Sequence, residues 1–232
     1  MSATALIVGA GSGISASFAR VLHREGYNVA LAARSPTKLS GLAQEIGATT
    51  FACDATRVDD VAAVFTELDR NHGDLDVVLY NASARAPGPI VDLKPADVAS
   101  AINISAYGGY LVAHEAARRM LPRGKGTILF TGASASVKGY PNSSSFAMGK
   151  HALRGLASSI SRELAPQGVH VCHFVIDGGV RNAEKGRIEG PDDTPDKYLD
   201  PDAIAETYMH VVKQPRTAWS WEIELRPYVE NY

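Results

Sequence analysis

At 232 residues the chain is long enough for one large core, and 45% hydrophobic with 21% charged residues is the composition of a folded globular protein rather than of disorder. A formal net charge of -2 gives no electrostatic ground for nucleic acid or an anionic membrane as partner, so small molecules become the leading ligand class. Cys53 and Cys172 lie far apart and match no ligand spacing, so reduced core thiols are expected and no metal site.

The first residues are apolar but lack a basic leader region, and no apolar run reaches the roughly eighteen residues needed to span a bilayer. A cytoplasmic location is the expectation. In chain order, short runs rich in Val, Ile and Leu predict strands at 5–8, 28–32, 49–53, 77–80, 126–130 and 170–176, with a seventh at 221–225. Amphipathic periodicity predicts helices at 15–25, 36–46, 58–72, 95–121, 143–165 and 202–212. This βα alternation predicts an α/β fold, a single-domain Rossmann-type doubly wound parallel sheet in three layers (α/β/α) over 1–232. Residues 177–200, rich in Gly, Pro, Asp and Lys, break the rhythm and read as a long loop or substrate lid. The tail 214–232 carries Trp219, Trp221, Tyr228 and Tyr232 and is predicted to dock on its own domain or on a partner subunit.

Between the first strand and the first helix stands Gly9-Ala10-Gly11-Ser12-Gly13-Ile14-Ser15. Glycines there let the backbone turn tightly and approach a pyrophosphate, whose charge then faces a helix N-terminus. The acidic residue expected about twenty residues downstream, where it would hold the ribose hydroxyls of NAD, is missing. The second strand ends instead on Ala32-Ala33-Arg34-Ser35. A planar cation and a hydroxyl suit a 2′-phosphate, so NADP(H) is expected in preference to NAD(H).

These features resemble the short-chain dehydrogenase/reductase family over nearly the whole chain. The glycine turn is similar to that family's Thr-Gly-x-x-x-Gly-x-Gly, with Gly9 and Gly13 matching, Val8 in the threonine position and Ser15 in the last glycine position. Asp54, followed by Ala55, matches the aspartate that faces adenine. Tyr80-Asn81-Ala82-Ser83 resembles the Asn-Asn-Ala-Gly element, and Asn103 matches the asparagine of the catalytic helix. Asp177-Gly178-Gly179 stands where Pro-Gly is usual, which implies Gly178 and Val180 beside the nicotinamide.

The resemblance also implies a tyrosine as general acid/base, a lysine four residues on, and a serine that polarises the substrate oxygen. In Ser143-Ser144-Ser145-Phe146-Ala147-Met148-Gly149-Lys150 the lysine is kept as Lys150, while Phe146 takes the tyrosine position. Counting back by the family's interval places Ala133 at the serine position, next to Ser134. A phenyl ring has no proton to give. Tyr140 just ahead of the helix, Ser134 by a shift of the loop, and Lys150 itself are the candidate substitutes, the bland role of Lys150 being to bind the cofactor ribose. His114, His151 and His173 read as core or surface histidines.

Two functions follow. One is an NADP(H)-dependent oxidoreductase acting on a small carbonyl, alcohol or activated C=C substrate with a non-standard proton donor. The other is a catalytically inactive NADP(H)-binding sensor or structural protein. A homodimer or homotetramer is implied by the family, with Ala99, Ala101, Ala106 and Gly108 as small residues suited to helix packing across a two-fold axis or, alternatively, only within the monomer.

Overall fold

A computed structural model describes residues 3–230. Its sheet has seven strands in the order β3-β2-β1-β4-β5-β6-β7, all parallel. The strands are β1 (Thr4–Val8), β2 (Asn28–Ala33), β3 (Thr49–Ala52), β4 (Leu75–Tyr80), β5 (Gly126–Thr131), β6 (Val169–Ile176) and β7 (Glu222–Leu225). The chain reverses its direction of winding between β1 and β4, and the crevice beyond the carboxyl ends of those strands is where such sheets bind ligands. Most of the sheet is covered on both faces, so β1, β4, β5 and β6 are buried at every residue. Alternation still sorts their side chains: Leu6 and Val8 join the core under one helical layer, and Ala5 and Ile7 join the core under the other.

The first layer consists of α3 (Val58–Asn71), α5 (Gly108–Met120) and α6 (Ser144–Leu164), whose Phe65, Val112 and Leu153 fill its core. The second consists of α1 (Ile14–Arg24), α2 (Ser40–Ile46) and α7 (Pro201–Val212), with Phe18, Ile46 and Tyr208 inside. Each fully buried large side chain of this kind contributes about 1.5–3 kcal/mol. Cys53 and Cys172 are free and buried, and burial raises their thiols to about 11 and about 12, so both stay protonated.

The structure departs from the periodicity in three places. The helix expected over 36–46 begins as a 3-10 turn, Pro36–Leu39, because proline locks the first turn. The helix expected over 95–121 is α4 (Pro95–Ile102), a π-turn (Asn103–Tyr107) and α5. The π-turn has a visible cause: the Tyr80 hydroxyl donates to the Ile104 carbonyl, and a Cβ at Gly108 would stand 2.4 Å from that hydroxyl. Ala101 and Gly108 are therefore buried within this chain and are not the helix-pairing surface expected of them. The loop 177–200 carries a short turn, Ala183–Lys185, and bridges Val180 to Leu199 and Asn182 to Arg187.

The tail docks on its own domain through stacking of Trp219 on His170, ring centroids 4.6 Å apart, and through Trp221, which lies against Arg154 and Arg162. Tyr228 does not join it, being 80% exposed, and Tyr232 lies outside the described residues. Among the described residues no helix is long and apolar enough to cross a membrane. None of their His, Cys, Asp or Glu side chains gather in a group of three or more that could hold a metal ion.

Candidate active site

The glycine turn leaves β1 at the crevice. Gly9 has φ +81°, and a Cβ there would lie 2.3 Å from the amide nitrogen of Ala82, so only glycine lets the turn press against the loop after β4. Asn81 ties the two loops further: its amide donates 2.7 Å to Ser15 Oγ, and Ser15 Oγ reaches the Gly9 carbonyl at 3.3 Å. The serine in the last glycine position is thus a cross-link. The Gly9 and Ala10 N–H groups bond Ala32 O, whereas those of Gly11, Ser12 and Gly13 have no partner among the described residues. Open space surrounds the Cβ position of Gly11, and the first turn of α1, which Ile14 begins, carries no acid. Unpaired donors at a helix N-terminus form an anion site.

Two residues of the 177–200 loop lean on that turn. Asn182 donates 2.6 Å to the Ser12 carbonyl, and Ser12 Oγ donates to the Glu184 carboxylate. At the end of β2, Arg34 and Ser35 are exposed, and Arg34 has no ion pair among the described residues. Asp54 Oδ1 accepts from the Thr56 amide at 3.0 Å and hydroxyl at 2.8 Å; these bonds, and less so the charge of Arg34, hold its carboxyl below the usual range. Ala55 is buried, its carbonyl beneath Gly108.

The cluster around Lys150 sits at the carboxyl end of β5. Lys150 on α6 is 2% exposed, and the one hydrogen bond of its amine among the described residues is a donation of 2.6 Å to the Thr131 carbonyl. Burial, with a smaller push from Arg85, lowers the amine to about 7. Phe146, one turn earlier, is buried with its ring 5.9 Å from Lys150 Nζ. On that ring lies Arg85, from the loop after β4, with Cζ 3.9 Å from the centroid. Ala133 is extended and caps a short turn, its N–H donating 3.1 Å to Ser136 Oγ. Ser134 opens the turn, half-buried, and its hydroxyl has no partner among the described residues.

Two expected residues are exposed. Asn103 is exposed at the start of the π-turn, and it is Ser105 that is 0% exposed, bonded to the Ala84 amide at 3.3 Å and packed against Gly149, beside Lys150. Shifting from an α-turn to a π-turn rotates the helix face, which a straight helical reading could not anticipate. Tyr140 is exposed with Lys138 Nζ 5.7 Å from its ring centre, so its contact is with that lysine and not with Phe146.

A model of the short chain dehydrogenase family matches residues 3–184. The chain belongs to the short chain dehydrogenases. Short chain aldehyde dehydrogenase 1 of Euphorbia lathyris is 32% identical over 173 residues, 72% of this chain; the match spans 60% of that protein's length. A short-chain dehydrogenase from Rhodopseudomonas palustris superposes with a TM-score of 0.83 at 33% identity, covering 97% of this chain and 99% of its own. An alcohol dehydrogenase from the archaeon Thermococcus sibiricus, complexed with 5-hydroxy-NADP, reaches 0.86 at 28% identity over 100% and 99% of the two chains.

Within this short chain dehydrogenase the sequence reading missed several groups at the site. Ser105 and Arg85 carried no motif, although an arginine four residues after Asn81 is a visible oddity. Asp177 is buried and paired with Arg226 at 2.9 Å and Lys138 at 3.7 Å, fastening the loops after β5 and β6 to the tail. Gly178 has φ +146°, with a Cβ position 2.9 Å from Pro227, and Val180 is bridged to Leu199. His173 is fully buried, with Nδ1 3.0 Å from Glu222, which Arg154 grips with two bonds of 2.6 and 2.7 Å. Burial lowers this imidazole to about 4, so the ring is neutral and its Nδ1–H donates to the carboxylate.

Proposed function

We propose that this chain is an NADP(H)-dependent oxidoreductase that moves a hydride to or from a small carbonyl or alcohol carbon, or an activated C=C bond, with Lys150 carrying the proton. The residues present fit the cofactor on four observations. Three N–H groups of the glycine turn are unpaired among the described residues, and Gly9 permits its close approach to the neighbouring loop. Arg34 is exposed at the end of β2, with no ion pair among the described residues. No acid follows it to repel a 2′-phosphate until Glu45. In this reading Gly9, Gly11, Ser12, Gly13 and Ile14 frame the pyrophosphate, Arg34 and Ser35 the 2′-phosphate, Asp54 and Ala55 the adenine, Asn81 and Ala82 the ribose side, and Gly178 and Val180 the nicotinamide.

Lys150 carries the reading. It is a buried amine held near 7, where it can give and take a proton at neutral pH, with two of its three N–H bonds uncommitted. The cofactor supplies or accepts the hydride. In the reducing direction the Lys150 ammonium passes a proton to the substrate oxygen and regains one from solvent, while the Ser134 hydroxyl donates a hydrogen bond to the same oxygen. A silent NADP(H) binder is the second reading, favoured by Phe146, whose ring cannot donate and is covered by Arg85. A homodimer or homotetramer is part of the proposal, supported by Tyr107, Tyr110 and Met148, which stand exposed on the helical layer of α5 and α6.

NADPH consumption over a panel of aldehydes, ketones and enones tests this, with NADPH binding followed separately by fluorescence. Turnover that falls above pH 7 and is lost in Lys150→Met is the expected result. Binding without turnover, with activity appearing only in Phe146→Tyr, selects the silent binder. Arg34→Ala is expected to weaken NADPH about tenfold or more while leaving NADH nearly unchanged; equal losses would overturn the cofactor preference.

A further inference from the structure

A stacked guanidinium spends its face and keeps its edge. Arg85 places Cζ over the Phe146 ring, 3.9 Å from its centroid, and a guanidinium stacked on a ring keeps its five N–H donors at its edge. No carboxylate takes them up: Arg85 forms no ion pair and no hydrogen bond among the described residues, although Asp92 and Asp97 line the same groove of about 380 Å³. Arg187, from the 177–200 loop, is the other charge that Arg85 senses, and it too has no ion pair among the described residues. Acids of the loops after β6 are committed elsewhere, Asp177 to Arg226 and Lys138, Glu189 to Arg181, and Glu184 to Ser12. Arg85, Arg187 and Lys150 thus bring three cations toward the reacting end, and no carboxylate forms an ion pair with any of them among the described residues.

We infer that the substrate carries a carboxylate, held two-pronged by Arg85 with Arg187 closing over it, next to the carbonyl or alcohol carbon that reacts beside Lys150. This rests on the oxidoreductase reading above and names the class of its substrate, an oxo or hydroxy acid. The planar two-oxygen anion matches the guanidinium fork, whereas a neutral carbonyl compound offers Arg85 no charge to pair with. The position of Phe146 is explained by the same arrangement. A phenyl face seats the arginine, and a tyrosine hydroxyl at that ring's edge would compete for its donors.

The experiment uses two probes on the full chain. Oxamate, which does not react, is titrated calorimetrically into protein saturated with NADPH, and short 2-oxo acids are compared with their methyl esters for NADPH consumption. Expected are oxamate binding that weakens about thirtyfold in Arg85→Gln, is not restored by Arg85→Lys, and weakens less in Arg187→Gln, with NADPH affinity unchanged throughout. Acids are expected to exceed their esters in kcat/KM by a similar factor. Esters turned over as well as acids, or oxamate binding indifferent to Arg85→Gln, would overturn this inference and leave the oxidoreductase reading standing. Loss of NADPH binding itself would overturn that reading, while Arg85-dependent oxamate binding without turnover would uphold the anion site alone.

Discussion

Lys150 shows what one buried amine does to the molecule as well as to its site. Folded, it titrates near 7; unfolded, it returns to 10.5. Between those values the unfolded chain holds a proton that the folded chain has shed, so the lysine makes stability rise with pH, by up to about 1.4 kcal/mol per unit. Below 7 the whole penalty is present. Lys150→Met is therefore expected to be more stable than the parent at pH 6 and nearly equal to it near pH 10.5. Urea unfolding at both pH values checks this, and parallel profiles would contradict it. The lysine could be picked out in the sequence because its spacing from Phe146 is a motif. Ser105 could not, since its inward position depends on the Tyr80 hydroxyl drawing on the Ile104 carbonyl from a strand 24 residues away.

Among the elements, the edge strand β7 depends most on side chains for its place. It has four residues, none of them buried, and pairs only with β6. Glu222 compensates by bonding His173 on β6 and Arg154 on α6 at once. Glu222→Gln replaces a charged acceptor shared by two donors, one of them fully buried, and is expected to cost about 1–3 kcal/mol. Thermal unfolding checks it at about 2–4 °C per kcal/mol, and an unchanged midpoint would mean that the backbone ladder alone holds the strand. Strands and most helices were legible because burial on two faces writes continuous Val, Ile and Leu runs, while amphipathic faces write a 3.6-residue period. The π-turn and the bridged loop were not, because both are set by contacts between segments far apart in sequence.

Across the whole molecule, the glycine turn and the 177–200 loop meet although some 170 residues separate Ser12 from Glu184. Glu184→Gln removes a carboxylate from the mouth of an anion site and is expected to tighten NADPH about threefold to tenfold, chiefly through a faster on-rate in stopped-flow fluorescence. A slower on-rate or weaker affinity would mean that Glu184 aids the nucleotide. The same contact dictates an order of events. The segment that holds Arg187, proposed above to close over the substrate, is pinned to the glycine turn by Asn182 and Glu184, and a bound nucleotide phosphate would claim that turn. The first ligand in frees the arm that grasps the second, so kinetics should follow a compulsory sequence, with nucleotide entering before the substrate and leaving after the product.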